Sequence, residues 1–141
     1  YVMTPTPPPG GGESTAFAAM PRAGRCGWNE LAAEDFGRAM EFYTGQFGWT
    51  RAGEMDMGPM GTYQFVAQGG TTLGAIMPKP AEMPVSAWIH YFWVDSAAAA
   101  KERIEANGGT VMMGPHEVPG PLWIVQGIDP QGGHFALVGG K

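Results

Sequence analysis

The chain has only one cysteine, Cys26, and few basic residues. A single cysteine excludes a disulfide within these residues and a cysteine metal cluster, which is typical of a protein of the reducing cytoplasm. Lys and Arg number 8 against 13 Asp and Glu, and the net charge is -5. We therefore expect no nucleic-acid or anionic-membrane partner, and a neutral or cationic small molecule is favoured instead.

Long apolar runs and the common catalytic motifs are also missing. No apolar run approaches the ~20 residues that cross a bilayer. The chain has no G-x-S-x-G nucleophile elbow, no phosphate-binding loop and no Cys–His pair for nucleophilic catalysis. These absences argue against a membrane span, a serine or cysteine hydrolase and a nucleotide-binding enzyme.

Glycine and proline, by contrast, are abundant, with 23 and 13 residues, and they are unevenly spread. The stretch TPTPPPGGGEST (residues 4–15) has the composition of a linker, because it has too few apolar side chains to build a core. It also lacks the basic start and apolar stretch of a secretory signal. We predict that residues 1–22 form a Pro/Gly-rich leader or an interdomain linker, and that residues 23–141 form one domain.

From about Gly24 onward the chain repeats one plan. CGWNELA predicts a strand, Asp35 a helix N-cap, and FGRAMEFYTGQF a helix that ends before Gly48. Three segments with strand chemistry follow, at about residues 50–57, 62–68 and 71–77.

The second half repeats this order. AWIHYFWV predicts a strand, Asp95 or Ser96 a cap, and AAAAKERIEA a helix; strand segments follow at about residues 110–118, 121–127 and 134–138. The duplication predicts an α+β fold of two βαβββ modules. We expect the helices to lie outside a curled sheet, with a cleft on the face that they leave uncovered.

Three motifs resemble the vicinal oxygen chelate superfamily, which includes glyoxalase I, bleomycin-resistance proteins and extradiol dioxygenases. They are WNELAAEDFGRAMEFYTGQFGW, VDSAAAAKERIEANGGTV and IDPQGGHFAL, and the resemblance covers about residues 24–138. The chain is most similar to the glyoxalase-like branch common in actinobacteria, where two such domains often lie in tandem. The resemblance implies one glyoxalase-like domain with a curled mixed sheet around a cleft. It also implies pairing, as a homodimer or between tandem domains.

Enzymes of that family hold a divalent metal through one His or Glu from each of four strands. Registered on the acids that precede the two helices, three of these positions fall on Trp28, Ile89 and Ala136, and the fourth falls on Gly74. None of these residues has a side chain that coordinates a metal. We therefore expect no metal site and no cofactor. Alternation from Ile89 and Ala136 leads us to expect His90 and His134 to point away from the cleft, so the histidines do not replace the missing ligands.

Glu30 and nearby aromatic residues form the candidate site. Strand alternation places Glu30 on the face of Trp28, where a carboxylate is costly unless it is hydrogen-bonded or paired with a ligand. Tyr91 and Trp93 fall on the face of Ile89, which predicts an aromatic-walled cleft for a planar or cationic ligand. Glu30 is a candidate general base, and the alternative is a carboxylate that contacts a ligand or only shapes the pocket. Core packing is the alternative role of the two aromatic residues.

These observations favour a small-molecule-binding protein of the glyoxalase/bleomycin-resistance type that lacks the family metal site. A second hypothesis is a metal-independent lyase, isomerase or hydroxylase-like enzyme that uses Glu30 as its base. The third, a metal-dependent glyoxalase or dioxygenase, is disfavoured by the missing ligands.

Overall fold

The computed structural model describes residues 9–11 and 16–141. It confirms the predicted α+β fold, because strand, helix and three strands follow one another twice. The elements are β1 (Cys26–Ala33), α1 (Phe36–Phe47), β2 (Thr50–Asp56), β3 (Thr62–Gln68), β4 (Thr71–Pro78), β5 (Ala87–Ser96), α2 (Ala97–Ala106), β6 (Thr110–Val118), β7 (Leu122–Ile128) and β8 (His134–Gly140). A single 3₁₀ turn, Gly58–Met60, precedes β3.

All eight strands belong to one open mixed sheet with the order β2-β3-β4-β1-β5-β8-β7-β6. Within each module the first strand pairs in parallel with the last, β1 with β4 and β5 with β8. The two modules join where β1 and β5 pair antiparallel. The first strand of each module therefore lies at the centre of the sheet.

Local sequence signals set the helix ends. The Asp35 carboxylate accepts the Arg38 backbone N–H at 2.9 Å and caps α1, as predicted. The helix ends at Gly48, whose φ of 66° is a left-handed conformation that favours glycine. At α2, Ser96 rather than Asp95 is the cap, because its hydroxyl accepts the Ala99 N–H at 3.2 Å.

The two faces of the sheet differ in what covers them. On one face Leu31, Val66 and Ile76 pack with Met40 of α1 in a buried cluster. On the opposite face lie two other clusters, one around Tyr63, Ala75 and Met77, and one around Tyr91, Trp93, Ala136 and Val138. Neither of these two clusters, as far as the structure describes the chain, includes a residue of α1 or α2. This second face is called the cleft face below.

Part of the predicted leader contacts the domain. Phe17 forms an isolated bridge with Cys26, and Ala18 packs against the cluster that contains Trp93. The prediction that residues 1–22 form a leader or linker also covers residues 1–8 and 12–15, which lie outside the described residues. No helix in the described ranges is long and apolar enough to cross a membrane.

Candidate functional site

Glu30 lies at the junction of the two modules. In the antiparallel pairing of β1 with β5, Glu30 is opposite Ile89 and Trp28 is opposite Tyr91. Paired residues share a face of the sheet, and so do residues two apart on a strand. The structure therefore brings these four predicted site residues together on the cleft face.

Two tyrosine hydroxyls donate to the Glu30 carboxylate. Tyr63 on β3 donates to Oε2 at 2.7 Å, and Tyr91 on β5 donates to Oε1 at 3.3 Å. The Trp28 indole N–H donates to the Tyr63 oxygen at 2.8 Å, and the Gln126 amide donates to the Tyr91 oxygen at 2.7 Å. Five side chains from four strands thus form one chain of hydrogen bonds that converges on a carboxylate.

Burial has the largest effect on the pKa values of the ionisable groups in this chain of hydrogen bonds. It raises the pKa of Glu30, and the hydrogen bonds from Tyr63 and Tyr91 offset part of that rise. The pKa of both tyrosines is raised by burial first and then by the Glu30 charge. The two hydroxyls therefore keep their protons at neutral pH and remain donors.

Glu30 has no cationic partner among the residues that the structure describes. The ion pairs there are Lys79 with Glu34 and Lys101 with Glu105, and neither includes Glu30. The carboxylate is satisfied only by neutral donors. A buried charge held in this way gains from a cation or a further donor.

The cleft face has an aromatic and thioether half and an aliphatic half. On the first module, Phe65 contacts Trp28 and Tyr63 edge to face, at centroid distances of 5.9 and 5.7 Å, and Met55 and Met57 pack beside them. On the second module, Ile89, Leu122 and Ile124 pack beside Tyr91. These partly exposed side chains lie on either side of Glu30 on the cleft face.

Trp93 and Ala136 are buried in the cluster that also contains Tyr91. Trp93 is 6% exposed, its ring lies against Gly27, and its indole N–H donates to the Ala18 carbonyl at 2.7 Å. Ala136 is fully buried. Both share the cleft face, where they form its floor.

Gly74 is on the opposite face from its predicted position. It pairs with Asn29, whereas Ala75 pairs with Glu30 and is the β4 residue of the cleft face. The prediction was off by one residue, which exchanges the two faces of a strand. A Cβ at Gly74 would overlap the Asn29 backbone carbonyl, so glycine is there for close strand packing.

Sequence reasoning missed Tyr63 and Gln126, which complete the chain of hydrogen bonds. Both lie on strands that pair with no part of β1, so their approach to Glu30 depends on the order of all the strands. The local signal was present at Tyr63, where TYQFV alternates between the faces, but nothing in it pointed to Glu30.

The family model described as Glyoxalase/Bleomycin resistance protein/Dioxygenase superfamily matches residues 24–135. The chain belongs to this superfamily. The anthracycline biosynthesis protein DnrV of Streptomyces peucetius is 31% identical over 124 residues, a match that covers 78% of this chain and 45% of that protein. The chain thus spans less than half the length of this curated relative.

Several solved structures share the fold. A variant of Streptomyces coelicolor methylmalonyl-CoA epimerase in complex with 2-nitronate-propionyl-CoA matches with a TM-score of 0.60 and 14% identity, over 84% of this chain and 99% of that one. Methylmalonyl-CoA epimerase from Mycobacterium tuberculosis matches with a TM-score of 0.57 and 15% identity, over 80% and 85% of the two chains. At these identities the likeness shows the fold alone.

The residues present do not fit the divalent metal of superfamily enzymes. Trp28, Ile89, Ala136 and, on the corrected register, Ala75 offer no oxygen, sulfur or imidazole donor. In the described ranges, no group of three or more His, Cys, Asp or Glu side chains could hold a metal ion.

The histidines do not converge either. His90 pairs with Asn29 and faces away from the cleft, as predicted. The expectation for His134 was wrong, because residues two apart on a strand share a face, and His134 therefore lies on the side of Ala136. It pairs with Ile128 and is exposed at the start of β8.

Proposed function

We propose that the cleft face binds a small organic molecule that has a planar apolar part and a cationic or hydrogen-bond-donating group, and that Glu30 receives this group. The observation that carries the proposal is the convergence of Tyr63 and Tyr91 on a partly buried carboxylate without a cationic partner among the described residues. Two fixed donors hold the carboxylate in place, and each of its oxygens has a lone pair left for a guest. The site is thus a preorganised acceptor.

The walls support a planar ligand. Trp28 and Phe65 offer ring edges and faces, and Met55 and Met57 offer flexible thioethers that adapt to different outlines. The net charge of -5 favours a cation over an anion. The anthracycline named in the description of the relative DnrV is a fused-ring aromatic class, which fits these walls.

We also propose that binding needs no metal, since the residues at the positions of the family's metal ligands have no side-chain atom that coordinates a metal. The free Cys26 is consistent with a reducing cytoplasm as the place of action.

A pair of matched ligands tests the proposal. An anthracycline with an amino sugar should bind at least about 10-fold more tightly than its sugar-free aglycone, because a charge-assisted hydrogen bond to Glu30 contributes about 1.5–3 kcal/mol. Isothermal titration before and after dialysis against a chelator measures both affinities, and the chelator should change neither. Equal affinities would contradict the role of Glu30, and a loss after chelation would contradict metal-free binding.

One observation favours an enzyme as the second candidate. Burial raises the pKa of Glu30, which brings it closer to the range of a general base that works near neutral pH. A metal-independent lyase, isomerase or hydroxylase-like activity would then begin with removal of a ligand proton by Glu30. Incorporation of solvent deuterium into a bound ligand, followed by NMR, distinguishes this enzyme from a binding protein.

We propose further that two copies, or two tandem domains, pair. Strands β2 and β6 form the edges of the open sheet, and β2 is largely exposed. Unpaired edges readily accept another strand. Light scattering of this chain should give the mass of a homodimer, and a mass that stays that of a monomer as concentration rises would contradict pairing between identical copies.

A further inference from the structure

A second recess lies on the face of the sheet opposite Glu30. It has a volume of about 290 Å³ and is lined chiefly by Tyr43, Phe47, Trp49 and Trp88, with Asn29 and His90 at one end. This volume lies just below the range of about 300–1,000 Å³ that is typical of small-molecule pockets, so a ligand here has at most one or two rings. None of these residues takes part in the hydrogen-bond chain around Glu30.

The aromatic walls of the recess are held in a fixed arrangement. Tyr43 stacks on Trp49 at 5.5 Å and meets Trp88 edge to face at 5.2 Å. The Trp88 indole N–H donates to the Tyr43 hydroxyl at 2.8 Å, which fixes the angle between the two rings. Phe47, 36% exposed, forms the outer wall. Tyr43 stacks on Phe47 as well as on Trp49, so the rings form one rigid apolar surface.

The polar end of the recess offers an acceptor. The Asn29 amide nitrogen donates to the Leu73 carbonyl at 2.9 Å, so the Asn29 oxygen must be the atom that meets His90 Nδ1 at 2.8 Å. An amide oxygen only accepts, and His90 Nδ1 therefore carries the proton. In the neutral ring Nε2 then has a lone pair, and no hydrogen bond to it occurs within the part of the chain that the structure describes.

We infer from this geometry that the recess is a second binding site, for a small planar aromatic molecule that carries a hydroxyl group. The ring lies against Trp49 and Trp88, and the hydroxyl donates to His90 Nε2. Asn29 and His90 are paired neighbours of Glu30 and Tyr91 on the same two strands, so the two sites lie back to back across the central pair of the sheet.

Phenol and benzene are matched probes for this site, because they differ only in the hydroxyl. Titration of the ¹⁵N-labelled protein should shift the indole N–H signals of Trp49 and Trp88, and phenol should bind more tightly than benzene. His90→Phe keeps a ring but removes the acceptor. It should lower the affinity for phenol about 5- to 10-fold and leave the affinity for benzene unchanged. His134→Phe, on an exposed histidine of the cleft face, should change neither.

Three results would overturn the inference. The first is equal affinity of the wild-type protein for phenol and benzene. The second is a phenol titration that shifts the Trp28 indole, on the cleft face, and leaves Trp49 and Trp88 unaffected. The third is unchanged phenol affinity in a folded His90→Phe variant. A second variant, Trp49→Leu, removes an aromatic wall and should weaken both probes, so the aromatic part of the inference is tested separately from the acceptor.

Discussion

Gly74→Ala is expected to destabilise the domain by about 3 kcal/mol, the upper end of the range for overpacking. Gly74 pairs with Asn29 in the parallel β1–β4 ladder at the centre of the sheet, and an added Cβ would overlap the Asn29 backbone carbonyl. Backbone cannot rotate away as a side chain does, so the strands must separate. Urea denaturation measures the loss, and a fall in melting temperature of roughly 10 °C should accompany it.

Gly45→Ala is the matched control, because it makes the same chemical change where there is space. Gly45 lies in α1 with no atom within 4 Å of an added Cβ. Alanine is the better helix former, so this variant should be more stable by about 0.5–1 kcal/mol. Similar effects of the two substitutions would contradict the close approach of β4 to β1.

Glu30→Gln is expected to lower the affinity for an amine-bearing ligand by about 10- to 100-fold, since a hydrogen bond to a charged group contributes about 1.5–3 kcal/mol. The neutral amide keeps the size of the side chain but removes the charge. The aglycone should lose much less affinity, so the difference between the two ligands should disappear in the variant. Unchanged discrimination in Glu30→Gln would show that the amine binds elsewhere.

The same variant gives a pH-dependent effect on stability. Burial raises the pKa of Glu30 in the folded protein above its ordinary value of 4.5. Between that value and the raised pKa the folded carboxyl holds more protons than the unfolded one, so the free energy of unfolding decreases as pH rises. The contribution of Glu30 is fully present below pH 4.5 and is lost as pH rises through the folded pKa.

Glutamine does not titrate, and it is therefore the reference for this effect. The free energy of unfolding of the wild-type protein minus that of Glu30→Gln should decrease from acidic to neutral pH in urea titrations. A difference that grows with pH would mean that the tyrosine hydrogen bonds outweigh burial, because those bonds lower the pKa.

The sequence predicted the fold better than the site. The duplicated order of elements and the Asp35 cap were local signals, and the structure confirms them. Face assignments within β1 and β5 were also within reach of strand alternation, which grouped Glu30 with Trp28. Where the register was uncertain by one residue, as at Gly74, alternation gave the wrong face.

The rest could not be predicted because it depends on contacts between distant strands. Tyr63 reaches Glu30 only because β3 and β1 flank β4, and Gln126 reaches Tyr91 only because β7 and β5 flank β8. The hydrogen bond from Trp93 could not be predicted for the same reason, since its acceptor, Ala18, lies 75 residues earlier in the chain. No local pattern carries such information.

The antiparallel joint between β1 and β5 gives the scaffold an approximate two-fold axis. Position 28 corresponds to 89 and position 30 to 91, so the pairs Trp28 with Tyr91 and Ile89 with Glu30 exchange under this rotation. The donors do not exchange, because Phe65 is opposite Ala75 as Gln126 is opposite Ala136, so Gln126 corresponds to Phe65 and not to Tyr63. The backbone is thus nearly symmetric, yet one half carries a carboxylate where the other carries a hydroxyl. If the cleft face binds a guest as proposed, that guest meets an acidic side and a neutral side, and we expect it to favour one orientation.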